Sequence, residues 1–300
     1  MSAPSASAAR VRVLPLVLRR GLALLAAAGA LPLAAGCASA GGRWDGSPAW
    51  STTHTETVQD AQSLVVENQN GSIVVKRELV GVAMRIDAKV RCAAGSEADA
   101  KARAEGAKLV ATRDPDGKVH VRVEFPQRDG GSFPQDAASI EVRVPMLNGV
   151  EATTTNGRIE VGGFRGPLTL RTSNGSVDVD GNEGPVNIQT SNGKVSAVGV
   201  GAPAVVRTSN GGVTVTLAPS ATGNVDVTTS NGPVSVNLPG TWEGTVSADT
   251  SNGGVKLEGT GRARNLSVQW DKGSMELGDA AKATATVKTS NGRVRVSAGG

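Results

Sequence analysis

The sequence predicts an all-β fold, a parallel β-helix-like solenoid whose coils are 18 to 21 residues long. Three observations carry that expectation: a recurring Thr-Ser-Asn-Gly turn, apolar columns at fixed distances on either side of it, and a second Gly/Pro-rich turn between copies. The clear copies of the turn end on Asn174, Asn192, Asn210, Asn231, Asn252 and Asn291, each followed by glycine. Asn156 opens the series behind Thr154-Thr155, and Trp270-Asp271-Lys272-Gly273 reads as a degraded copy. Self-similarity at a short fixed period marks a repeat architecture, in which each unit buries its apolar face only by stacking on a neighbour.

The columns make each unit a pair of short strands. Six and four residues before the turn asparagine stand pairs such as Leu168 and Leu170, Val186 and Ile188, or Val225 and Val227. Three and five residues after it stand Val177 and Val179, Val195 and Ala197, or Val234 and Val236. Ser, Thr, Arg, Lys, Asp and Gln mostly fill the places between, the alternation of a half-buried strand. An Asn-Gly pair also suits a hairpin with a type I′ turn. A meander or propeller blade of four strands needs about 40 residues, so a two-strand unit fits stacked coils better.

Parity places the turn threonine and asparagine on the inward side, with glycine taking a left-handed corner. An inward asparagine at the same place in successive coils can bond its amide to those above and below. Asn70, Asn156, Asn174, Asn192, Asn210, Asn231, Asn252 and Asn291 are therefore expected to form a structural ladder. Asn70-Gly71 belongs to it because Leu64, Val66, Ile73 and Val75 occupy the same four columns.

In chain order, residues 1–36 read as an export signal of the lipoprotein type. Arg10, Arg12, Arg19 and Arg20 precede an apolar run too short and Ala-rich to span a membrane. Leu33-Ala34-Ala35-Gly36-Cys37 resembles a bacterial lipoprotein box, which implies acylation of Cys37 and attachment to a membrane. Ala38-Ser39-Ala40 offers the alternative, ordinary secretory cleavage at Ala40 that leaves a secreted or periplasmic protein. Residues 37–51 then form a flexible tether, and residues 52–300 one solenoid domain. Its first coil covers about 58–76, an insertion about 77–147, and the main repeats about 148–297.

The insertion has three alternating strands, at Val82-Met84-Ile86-Ala88-Val90-Cys92, at Val119-Val121-Val123-Phe125 and at Ile140-Val142-Val144. A helix runs from Ser96 to about Val110, with Ser96 and Asp99 as its capping box. The C-terminal strand Arg293-Val294-Arg295-Val296 is expected at an open edge that its outward arginines guard.

Function classes narrow by exclusion. The +4 charge is carried by the four arginines of the export signal, so the mature chain is balanced and no electrostatic case for nucleic acid exists. His54 and His120 have no histidine or cysteine near them in sequence, which disfavours a metal site or a histidine-activated nucleophile. Cys92 is the one thiol left after Cys37 and is expected inside. Asp178-Val179-Asp180-Gly181-Asn182 opens like a calcium loop, but Glu183 and Gln189 stand where such a loop needs glycine and its closing glutamate. No cofactor and no metal are expected. Glu160 and Asp178, four residues after successive turn asparagines, fall on neighbouring coils about 5 Å apart and are the candidate carboxylate pair of a polysaccharide-active enzyme. Among the few aromatics, Trp242 is expected to be exposed and Trp270 to fill a gap inside the degraded copy.

From about Thr52 to Ser297, the early Asn70-Gly71 coil, the helix-bearing insertion and the later turns together resemble the bacterial "putative adhesin" family, built on a β-strand-repeat domain of unknown function. The resemblance implies a β-solenoid and a non-enzymatic protein of the cell envelope, without a catalytic motif to carry over. A surface for adhesion or for binding envelope glycan or protein is the expected function, with Ser173, Ser191, Ser209, Ser230, Ser251 and Ser290 as its polar column and Arg171, Arg207 and Lys288 beside it. A polysaccharide-active enzyme using Glu160 and Asp178 is the alternative.

Overall fold

The computed structural model describes residues 39–44, 47–79, 81, 83–127, 135–259, 263–278 and 282–299. The expected export signal, Cys37 and Val82 lie outside them. The chain opens with β1 (Ser39–Trp44), β2 (Ser47–Val58), β3 (Ser63–Glu67), β4 (Ile73–Arg77) and β5 (Met84–Ala93). Then come α1 (Glu97–Gly106), β6 (Lys108–Arg113), β7 (Lys118–Glu124) and β8 (Ala137–Val144). The first repeats are β9 (Val150–Asn156) with β10 (Ile159–Phe164), β11 (Leu168–Asn174) with β12 (Val177–Asn182), and β13 (Val186–Asn192) with β14 (Val195–Val200). They continue as β15 (Ala204–Asn210) with β16 (Val213–Leu217), β17 (Val225–Asn231) with β18 (Val234–Leu238), and β19 (Gly244–Asn252) with β20 (Val255–Gly259). The end is β21 (Ala263–Val268), β22 (Lys272–Leu277), β23 (Thr284–Asn291) and β24 (Val294–Ala298).

These strands make two 12-stranded sheets. One runs β1-β2-β5-β8-β4-β10-β12-β14-β16-β18-β24-β20, the other β21-β22-β19-β23-β17-β15-β13-β11-β9-β3-β7-β6. Each coil contributes its first strand to the second sheet and its second strand to the first. The turn asparagine is the corner between them. Coils stack in parallel and in register, with Leu168 on Val186 and Val177 on Val195, so each apolar column lies over itself. The inward residues of both sheets form one continuous core, from Leu64 and Ile73 to Val287 and Val296. At roughly 25 cal/mol per Å² of apolar surface removed from water, a buried Val or Leu contributes about 1.5–3 kcal/mol, and the columns supply it once per rung.

The N-terminal end departs from the expected tether. Residues 47–51 belong to β2, which pairs antiparallel with β5 from Ala49 opposite Ala93 to Val58 opposite Met84. Ala49 and Ser51 are buried at alternate positions, which gives a strand where Gly/Ser content alone suggests a linker. Helix α1 packs on this sheet through Ala100, Arg103 and Ala104, and Ser96 caps it by accepting from the Asp99 backbone NH at 3.1 Å. It ends at Gly106, short of Val110, because β6 starts at Lys108 and pairs with β7.

The C-terminal end departs further. The last coil is not last in space: β23 lies between β17 and β19, and β24 between β18 and β20. The expected open edge at Arg293–Val296 is thus interior, and Arg295 bonds Glu258 on β20 through Nε at 3.0 Å. The degraded copy is the reason. Instead of a coil it forms an antiparallel hairpin, β22 pairing with β19 and β21 with β22. With that edge of β19 occupied, the remaining place for a parallel coil is between β17/β18 and β19/β20. Trp270, in the hairpin turn, is 80% exposed and fills no gap. Trp242 is 1% exposed, the reverse of expectation, because its indole NH reaches the Gly223 carbonyl at 3.0 Å and the ring packs into the core.

Candidate functional site

The turn corner is built from three side chains with three different jobs. Each threonine is buried, as its column predicts, and Thr172, Thr190, Thr289 and Thr250 donate to the glycine carbonyl of the adjoining rung at 3.0–3.2 Å. Thr208 is the exception, its buried hydroxyl lacking a partner. The serines are exposed. The asparagines from Asn156 onward are exposed as well, which corrects the inward assignment. Burial alternates as far as the threonine and then stops alternating, and serine and asparagine both lie outside.

The asparagine side chains nevertheless bond in one unbroken series. Asn156 donates to Asn70, Asn174 to Asn156, Asn192 to Asn174, Asn210 to Asn192 and Asn231 to Asn210, all at 2.8–2.9 Å. Asn291 then donates to Asn231 at 2.8 Å and Asn252 to Asn291 at 2.9 Å. Glycine follows for a reason that parity does not reveal. A Cβ on Gly175 would lie 1.9 Å from the Gly157 carbonyl oxygen, and one on Gly193 equally close to that of Gly175. Close approach of backbones, rather than a left-handed angle, excludes a side chain at those two positions.

Beside the corner, the outer face of the second sheet is a flat polar surface. Arg171, Gln189 and Arg207 are register neighbours, and the exposed serines Ser173, Ser191 and Ser209 run parallel to them. Together they line a shallow depression of about 560 Å³. Arg207 bonds Asp226 at 2.7 Å on the next rung, and Lys288 sits two rungs beyond Arg207, past Thr228.

The first sheet brings Glu160 and Asp178 together as register partners on β10 and β12, above a shallow depression of about 430 Å³. Sequence reasoning missed the bases beside them. Arg158 reaches Glu160 at 3.3 Å and Asp178 at 2.9 Å, and Lys76 reaches Glu160 at 3.5 Å. Lys76 comes from the early coil, 84 positions away in the chain, and sequence proximity could not have found it.

The other candidates have structural partners. His54 Nε2 lies 3.1 Å from the Ala104 carbonyl and His120 Nε2 3.1 Å from Asp114. Asn182, at the end of the calcium-like stretch, is buried and donates to the Gly184 carbonyl at 2.9 Å. Among the described residues no three His, Cys, Asp or Glu side chains gather as a metal site. Cys92 is fully buried, and burial, with Asp136 adding to it, pushes its thiol pKa from 9.0 up to about 12. Asp136 itself is buried in an ion pair with Arg103.

No protein-family model matches the chain, and no curated protein does. Among solved structures, one described as a "putative adhesin" from Bacteroides fragilis is 10% identical with a TM-score of 0.42, covering 82% of this chain and 96% of its own. A "putative cell adhesion protein" from Clostridium sporogenes is 10% identical with a TM-score of 0.33, covering 83% and 99%. A "putative lipid binding protein" from Parabacteroides distasonis is 12% identical with a TM-score of 0.29, covering 82% and 96%. Likeness of this size carries no argument about function, which rests on the chain's own geometry.

Proposed function

We propose that this chain is a non-enzymatic protein of the bacterial cell envelope, lipid-anchored through Cys37, that presents the outer face of its second sheet to a glycan or protein ligand. The observation that carries the reading is the exposed, in-register row of serine hydroxyls beside Arg171 and Arg207. It is a flat surface repeated rung by rung, suited to an extended partner and poorly enclosed for a small one. Glu160 and Asp178 support the reading from the other side, since Arg158 spends their charge on an ion-pair network.

The anchor follows from Cys37 at the end of the apolar run. Strand β1 begins two residues later at the outer edge of the first sheet. An acyl chain there holds that edge to the membrane and leaves the β20 edge farthest from it. Outer membrane or cell surface is the proposed location, and cleavage at Ala40 is the competing outcome.

The test is fractionation and capture. Cys37→Ser should release the protein from membranes and abolish incorporation of labelled fatty acid; unchanged fractionation without acylation would remove the anchor. The tagged, unlipidated mature chain should capture a glycan or protein from envelope fractions. Turnover of a polysaccharide, lost in Glu160→Gln or Asp178→Asn, would replace this reading with the enzymatic one.

A further inference from the structure

The binding face has a charge pattern that the rest of the corner does not share. The outward residues of β11, β13 and β15 include two arginines and no carboxylate. On the first sheet the same coils carry Asp178 and Asp180, next to Glu160. On that side Arg158 and Lys76 already pair with Glu160 and Asp178, and on the second sheet Asp226 of β17 pairs with Arg207 through one Nη. Arg171 makes no ion pair among the described residues, so its guanidinium keeps its full donor set for a ligand.

Spacing narrows the partner further. Arg171 and Arg207 stand two rungs apart with Gln189 between them, roughly 10 Å at the usual strand separation. That is close to the length of one disaccharide in an extended pyranose chain, so one sugar advances about one rung. In such a chain successive sugars turn over, and acid groups fall on the same side at every second sugar. The serine row meets the sugars at every rung, as hydroxyl donor or acceptor.

We infer that the β11–β15 face binds an extended acidic polysaccharide along the coil axis, with Arg171 taking one carboxylate, Arg207 taking the next in exchange for its exposed pair with Asp226, and Ser173, Ser191 and Ser209 bonding the sugars between them. This rests on the binding-module reading above and names the ligand class for the same face. The face carries no aromatic ring, so ion pairs and hydrogen bonds hold the ligand in place of stacking. Affinity must then accumulate over several rungs and fall with salt.

The experiment uses the mature chain carrying Cys37→Ser, titrated with hyaluronan fragments of graded length, with polygalacturonate and with a neutral β-glucan. The expected result is binding of both acidic polymers, absent for a disaccharide, growing with fragment length and lost at high sodium chloride. Arg171→Gln and Arg207→Gln should each weaken it at least tenfold, and Arg295→Gln, on β24 of the other sheet, should leave it unchanged. Equal binding of the neutral glucan, or a double Arg171→Gln, Arg207→Gln variant within twofold of the parent, overturns the inference. If the chain binds no glycan but captures an envelope protein through this face, the inference falls and the binding-module reading stands. If it captures nothing, both fall.

Discussion

Asn291, in the last turn of the chain, donates its side-chain amide to Asn231 at 2.8 Å across a sequence separation of 60 residues. Asn252, which precedes it in sequence, sits on its other side and donates to it at 2.9 Å. The ladder therefore reads Asn231, Asn291, Asn252 in space. The chain passes over one rung after β18, builds β19 to β22, and returns to fill the place it left.

That order can be tested by crosslinking. Thr228 and Lys288 are register partners with outward side chains, so Thr228→Cys with Lys288→Cys should oxidise readily to an intrachain disulfide. Thr228→Cys with Asp249→Cys should not, because β23 holds those strands about 10 Å apart. Peptide mapping of the oxidised chains reads the outcome. A bond in the second pair and none in the first would put the coils back in sequence order.

The ladder is exposed, so its removal should be felt but not ruinous. Asn192→Ala deletes one bond given to Asn174 and one received from Asn210, with an expected loss of about 1 kcal/mol in urea unfolding. Combined with Asn210→Ala, which shares a bond with it, the losses should fall short of their sum. A loss far above about 3 kcal/mol would mean that the amides are shielded from water.

Thr190 and Thr208 occupy equivalent buried places and differ in one bond. Thr190→Val removes the donor to Gly175 and should cost about 1 kcal/mol. Thr208→Val removes a hydroxyl already without a partner and should be neutral or stabilising in the same assay. Equal losses at the two sites would refute the distinction.

Cys92 should be silent and pH-linked. Its thiol is raised by burial from 9.0 to about 12, so the folded chain holds that proton where an unfolded chain loses it. The contribution to stability is complete below about pH 9 and is lost as pH rises toward 12. Cys92→Ala should flatten the decline of unfolding midpoint across that window. Maleimide labelling of the native chain at neutral pH should proceed only through unfolding.

The two tryptophans of the repeat region should behave as opposites. Trp242→Ala empties a core position and should cost about 3–5 kcal/mol, whereas Trp270→Ser should stay within about 0.5 kcal/mol. Iodide should quench the fluorescence of Trp270 and spare that of Trp242.

Where local pattern and tertiary environment agree, the sequence was legible. The four apolar columns, the buried threonines and the Ser96 cap follow from alternation and from capping chemistry, both local in origin. The polar row of Ser173, Ser191 and Ser209 was legible for the same reason. Lys76 beside Glu160 was not, since its approach depends on which coils become neighbours. Trp242 was misread because a Gly/Pro-rich loop gives no parity to read, and its ring is buried by a carbonyl partner 19 residues away.

The sequence by itself determined the unit: two strands, an Asn-Gly corner, and a register that a one-residue slip would turn inside out. It left the order of units open. Every Thr-Ser-Asn-Gly coil offers much the same columns and the same amide, so one rung accepts almost any other as its neighbour. Only the tertiary structure decides among them, through the hairpin of β21 and β22 that occupies the edge of β19 and sends the last coil inward. It also decides what the corner presents. Past the threonine alternation stops, so asparagine lies outward in a ladder on the surface, with serine and Arg171 exposed beside it.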